Sequence, residues 1–190
     1  MALELLTDAE SYLDAQARRK INAGIQAAYN GGFVDYNDST TTTTPINLAA
    51  ETWTTITNDG SGAFSNEVYA PSGVSQLMDT STGAFDCTEL SLGDVVMIRN
   101  DFTVTPTING SRMELRYQLG SGDASYTLSK LLGKLEAGAG IGYRFALGVD
   151  EIYMGDLNTK DNPIALQVKC SEAATLVNAG SVITVLRYQN

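Results

Sequence analysis

From Met113 to Leu119 every second side chain is apolar: Met113, Leu115, Tyr117 and Leu119 alternate with Glu114, Arg116 and Gln118. A period of two belongs to extended chain, where successive side chains point to opposite faces. A helix would scatter these four residues around its surface. The stretch therefore reads as a strand with one face in a core and one charged face in water. Upstream, Val96, Ile98, Phe102 and Val104 share one parity, while Val95 and Met97 are apolar on the other. The polar pair Asn100-Asp101 inside that run predicts a bulge or bend. Asn109-Gly110 separates the two runs and suits a tight turn, so residues 95–119 read as a hairpin.

The same period recurs. Tyr143, Phe145, Leu147 and Val149 alternate, as do Ile164, Leu166, Val168 and Cys170. ETWTTIT at 51–57 is followed by the turn residues Asn58 to Gly62, and VYAP at 68–71 is a short strand ending at Pro71. SQLMDTSTGAFDCTELSLGD predicts two brief strands around a Ser-Thr-Gly turn. Turn residues about every eight to twelve positions point to a sandwich or barrel. SVITVLRY at 181–188 differs, because Val182 and Leu186 oppose Ile183 and Val185. A strand apolar on both faces needs two covers. A second sheet supplies one, and a neighbouring subunit is expected to supply the other.

The first thirty residues have the helical period. Thr7 with Glu10 forms a capping box. Leu13, Ala17, Ile21, Ile25 and Ala28 then make one apolar stripe, and Gly31-Gly32 ends it. Asp8, Glu10 and Asp14 precede Arg18, Arg19 and Lys20, which suits the helix dipole. So thin a stripe must pack on something, either its own domain or other chains. NDSTTTTTPIN at 37–47 reads as an extended arm, since β-branched residues and Pro45 favour open backbone. Residues 1–45 are thus expected to form a helix and arm, and 46–190 the β domain. The first residues do not have the form of a signal peptide, and no run has the length of a membrane span, so no membrane partner is expected.

Composition narrows the chemistry. The chain has 190 residues and no histidine, which removes the imidazole base, the usual triad and the commonest catalytic zinc ligand. Net charge is −10, and residues 31–90 hold eight acids with no Lys or Arg, against a nucleic-acid groove. Asp150 and Glu151 are adjacent in a predicted strand, so they point apart. GAGIG at 138–142 lacks the Lys-Ser/Thr of a phosphate loop. Asp156, Asn158, Asp161 and Asn162 depart from the calcium-loop pattern, with Lys160 among them. Cys87 and Cys170 could pair if strands bring them together, and otherwise read as two buried thiols. No enzyme activity, cofactor or metal is expected. Tyr69, Tyr117, Tyr126, Tyr143, Tyr153 and Tyr188 lie in or near predicted strands, placing them in the core or at subunit interfaces.

The phrases LSLGDVVMIRNDFTVTP, NGSRMELRYQLG, GYRFALGVDEIYMG and VNAGSVITVLRY resemble the TNF-like jelly-roll modules of tailed-phage structural proteins, over about residues 50–190. The resemblance implies a mainly β, antiparallel jelly-roll sandwich with an N-terminal α-helix and extended arm. It implies a homotrimer that decorates the phage head as a cement protein, made in the host cytoplasm and carried on the capsid surface of the virion. Val182, Ile183, Val185, Leu186 and Tyr188 would form the trimer interface. Leu13, Ala17, Ile21, Ile25 and Ala28 would attach it to the major capsid protein. A short N-terminal segment favours decoration over the alternative, the receptor-binding tip of a tail fibre recognising a cell-surface glycan.

Overall fold

The computed structural model describes residues 16, 17, 19–21 and 31–188. Two antiparallel sheets face each other. The first is six-stranded: β1 (Gly32–Asn37) and β2 (Ile46–Leu48) lie end to end on one edge of β12 (Ala174–Leu186). β12 pairs along its other edge with β6 (Val95–Pro106), whose far edge carries β9 (Tyr143–Ala146) and β10 (Asp150–Tyr153). The second sheet runs β3 (Thr54–Thr55), β11 (Ala165–Cys170), β7 (Ser111–Leu119), β8 (Tyr126–Leu135). The ribbon β4 (Met78–Asp79) with β5 (Ala84–Phe85) stands apart. Taking the end-to-end pairs β1/β2 and β9/β10 each as one broken strand, successive main strands alternate between the sheets except for the β7–β8 hairpin, which gives the strand order of an antiparallel jelly roll.

The core forms where the alternating residues of both sheets interdigitate. Val96, Ile98, Phe102 and Val104 of β6 meet Met113, Leu115, Tyr117 and Leu119 of β7, all buried. These two strands face each other across the sandwich and do not pair. Asn109-Gly110 is therefore a crossover between sheets, and the expected 95–119 hairpin is replaced by β7–β8. Both strands have one apolar parity, and that parity fits a pair within a sheet and a pair across a core equally well. The expected irregularity is present at Asn100-Asp101, but the extra residue lies opposite, on β12, between Asn178 and Gly180. The brief strands around the Ser-Thr-Gly turn form as β4 and β5. Residues 68–71, read as a strand, instead turn, with the Ala70 amide bonded to the Glu67 carbonyl.

The threonine run is not an extended arm. It closes a 3-10 turn over Thr40–Thr42, with Thr41 buried. Thr41 donates from its amide and hydroxyl to Asp38, and its hydroxyl accepts from the Asn178 amide at 2.8 Å. Asp59 takes the amides and hydroxyls of Ser39 and Thr40. Side-chain bonds to nearby backbone outweigh the extended preference here. The sheet begins at Gly32, well before the expected boundary at residue 45, because Val34 and Tyr36 are buried against β12.

One lateral side of the sandwich is closed by its own chain. Segment 57–92 places Val74, Leu77, Met78, Phe85, Cys87 and Leu90 in the core. Cys87 and Cys170 are both buried and free, and burial with Asp86 nearby pushes the Cys87 thiol up to about 12. Among the described residues, the opposite side, between β8 and β10, has no such plug.

Candidate functional site

The outward face of the six-stranded sheet concentrates apolar residues in register. Ile183 and Val185 of β12 point inward, so Val182, Thr184 and Leu186 point out. Leu186 stands beside Val95, and Val95 beside Tyr153, giving one row across three strands. The next outward row is Phe33, Thr184, Met97 and Glu151. Leu186 is 53% exposed and Tyr153 61%. Phe33 stacks on Tyr69 at 5.1 Å between ring centroids, which extends the patch beyond β1. Thr184 and Glu151 interrupt the second row, so the apolar side chains cluster on this face without covering it.

Charge borders the patch. Arg99 pairs with Asp101 at 3.3 Å, and Asp35 lies in the same row beyond Val182. Burial raises the Asp35 carboxyl above its ordinary value; Arg99 opposes the shift and Asp101 adds to it. Among the described residues, Asp101 Oδ1 is buried with no hydrogen-bond partner. At the other end, buried Asp94 fixes the close of β12. It accepts from the Tyr188 amide at 2.7 Å and the Ser91 amide at 2.9 Å, and pairs with Arg187 Nε at 3.0 Å. Both carboxylate oxygens are satisfied, so the chain past Leu186 is held against β6 and Tyr188 is presented at the margin of the patch.

Of the five residues expected at a trimer interface, the structure divides the set. Val182, Leu186 and Tyr188 face outward. Ile183 and Val185 are buried in the chain's own core and do not reach a partner, because strand parity sends adjacent residues to opposite faces. Ala17 and Ile21 are helical and exposed. Leu13, Ile25 and Ala28 lie outside the described residues. Tyr69 and Tyr153, expected in the core or at a subunit interface, belong to the patch, and Phe33 joins them without having been expected there. The outward parity of Val95 and Met97 was legible in the sequence. Phe33 was hidden because residues 32–37 fell in the expected helix-and-arm segment.

A second feature lies on the unplugged side. Lys130 of β8 bonds both oxygens of Asp150 on β10 at 2.6 Å, bridging the edges of opposite sheets. Beneath it Tyr117 donates to Asp150 at 3.0 Å and accepts from Asn100 Nδ2 at 2.6 Å. Burial, then the Asp150 charge, raises the Tyr117 hydroxyl far above its ordinary value. The cleft beside these groups is a cavity of about 380 Å³ with Leu115, Leu128 and Ile152 in its walls. Lys130 and Tyr117 together hold the Asp150 carboxylate between the two sheets, an arrangement that ties their neighbouring edges to each other. The polar loop at Asp156 is likewise structural: Asp156 caps the helical turn Leu157–Lys160 through the Thr159 amide at 2.7 Å.

No protein-family description matches the chain, and no curated protein matches its sequence. Solved structures with a similar fold include a chain of the T13 viral particle of IBDV, with 8% identity over 83% of this chain and a TM-score of 0.45. This protein spans 31% of that chain's length. Eiger TNF from S. frugiperda has 6% identity, covers 85% of this chain and 94% of that one, and has a TM-score of 0.49. The PRD1 vertex protein P5 has 18% identity, with 84% and 96% covered and a TM-score of 0.38.

Proposed function

We propose that the protein is a homotrimeric virion structural protein that decorates a phage head, with the outer face of the six-stranded sheet turned toward the threefold axis. The observation that carries the assembly reading is the in-register row Leu186–Val95–Tyr153 with Phe33 and Met97 beside it. Removing that area from water is favourable by about 25 cal/mol per Å². The virion setting rests on the likeness of the four quoted sequence phrases to tailed-phage modules. Tyr153 lies on this sheet face, Tyr69 joins it from the adjoining turn by stacking on Phe33, and Tyr188 stands just past the end of β12, so the exposed tyrosines border one patch and do not form a distal loop cluster, which favours subunit contact over sugar stacking.

Attachment to the major capsid protein is assigned to the N-terminal segment. The informative truncation removes residues 1–30. Removing 1–45 would also delete β1, whose Val34 and Tyr36 fill the core. The 1–30 truncation is expected to run at three times the chain mass and to lose binding to empty phage heads. Undiminished binding overturns the attachment role. A full-length protein at the single-chain mass of 20.3 kDa in dilute solution overturns the assembly reading.

A further inference from the structure

The crossover from β6 to β7 carries Asn109-Gly110, and Asn109 is exposed. This pair has a chemistry of its own. The backbone nitrogen that follows an asparagine attacks the carboxamide carbon, and glycine, without a side chain, hinders that attack least. The new N–Cγ bond closes a five-membered succinimide as the Cγ–Nδ2 bond breaks. The amide proton leaves with that nitrogen as ammonia. Water then opens the ring at either carbonyl and leaves aspartate or isoaspartate.

The electrophile is unguarded. Among the described residues, no hydrogen bond holds the Asn109 carboxamide. The nucleophile is guarded: the Gly110 amide donates to the Leu135 carbonyl at 2.7 Å, with Gly110 at φ +83. The flanks are pinned as well. Thr107 donates to the Ala173 carbonyl from its amide at 2.9 Å and from its hydroxyl at 2.7 Å. The Ser111 hydroxyl donates to the Ile108 carbonyl at 2.6 Å. An amide held this way keeps its proton and its direction, so ring closure waits until the bond to Leu135 breaks.

That bond rests on a short piece of sheet. The β7–β8 register shifts between Met113 and Glu114, where Leu132 is passed over. Beyond this bulge Ser111, Arg112 and Met113 pair with Leu135, Lys134 and Gly133. β8 lies at the edge of its sheet, and Leu135 is the buried anchor of this three-residue flap. Short edge segments past a bulge open more readily than the body of a sheet. Opening the flap frees the Gly110 amide while the core stays packed.

We propose that Asn109 is a conditional deamidation site, silent while residues 133–135 of β8 are paired and reactive when they detach. The test incubates the full-length protein in mildly alkaline buffer and follows the mass gain at Asn109 by peptide mapping, which separates it from Asn30-Gly31, the other Asn-Gly pair of the chain. Modification in the native protein is expected to be slower by about tenfold or more than in the same protein unfolded in urea. Leu135→Ala, which removes the anchor, is expected to speed it about tenfold under native conditions, with amide exchange at Gly110 rising in parallel. In the wild type, urea below the unfolding transition is expected to raise both rates together, a readout that stands if the variant fails to fold. Equal rates in the folded and unfolded protein overturn the protection. Faster Gly110 exchange with unchanged modification, in the variant or in dilute urea, overturns the gate.

Discussion

Asn100 on β6 and Tyr117 on β7 meet in the middle of the sandwich, amide to hydroxyl, at 2.6 Å. They belong to different sheets, so this bond ties one layer to the other. Ser181 donates to Asn100 on one side at 2.7 Å, and Tyr117 donates to Asp150 on the other. The chain is satisfied from β12 to β10. Tyr117→Phe leaves the Asn100 amide without its acceptor in an apolar layer. The expected loss is about 1–3 kcal/mol, the usual range for an orphaned buried polar group. The double variant with Asn100→Leu is expected to lose less than the sum of the two singles, measured by urea unfolding.

Leu186→Asp changes only the outward row. Its inward neighbour Val185 still fills the core, so the midpoint of thermal unfolding of the monomer should hardly move. Sedimentation should show dissociation at protein concentrations where the wild type stays assembled. Ile183→Ala is the contrasting variant: it opens a cavity inside one chain and should cost about 2–5 kcal/mol of unfolding free energy.

Asp94→Ala removes the anchor that holds Arg187 and Tyr188. It breaks a largely buried ion pair and two amide bonds, with an expected cost of about 3 kcal/mol. Amide hydrogen exchange should speed up at residues 184–188 first.

Acid should act with two signs. Burial works to raise the Asp59 carboxyl, but bonds from Ser61, Thr40 and Ser39 outweigh it and hold it well below the ordinary 3.8. A depressed group contributes stability that is present above 3.8 and lost as pH falls through its folded value. Asp35 is raised by burial, so acidification through its folded value toward 3.8 relieves a penalty. Asp59→Asn should flatten the acid limb of a stability profile. Asp35→Asn should raise stability at neutral pH and remove the gain seen on mild acidification.

Gly180 follows the bulge on β12 with φ +128, and an added Cβ would run into the Tyr36 carbonyl oxygen. Gly180→Ala is expected to cost at least about 2 kcal/mol and to loosen β1, read as a lower urea midpoint.

Alternation made the buried parities of β6, β7 and β11 legible, because each carries a consistent inward set, whereas β12 is apolar on both faces and its inward Ile183 and Val185 were expected at an interface. Pairing was not legible. Parity says which face is buried and not which strand lies alongside, so β6 and β7 read as partners when they are opposite walls. The Thr40–Thr42 turn was missed for a different reason. Its shape is set by Asp38 and Asp59, acceptors that reach back from flanking segments, and composition alone favours an extended run. For the assembly face, the outward Val95 and Met97 were visible, but Tyr153 joins them only through the β10–β6 register.

β1, β2 and β6 all take their hydrogen bonds from β12, yet β1 and β2 bond to no strand made earlier. A nascent chain that stops short of residue 174 has three strands of its larger sheet without their central partner. Completion of this layer must therefore wait until residues 174–186 have been made, and for β1 and β2 it closes loops of well over a hundred residues when it comes. Such distant pairings are slow to form. Until that strand emerges the chain carries an unfinished sheet, and its yield in the cell will depend on how well those waiting edges are kept from meeting one another first.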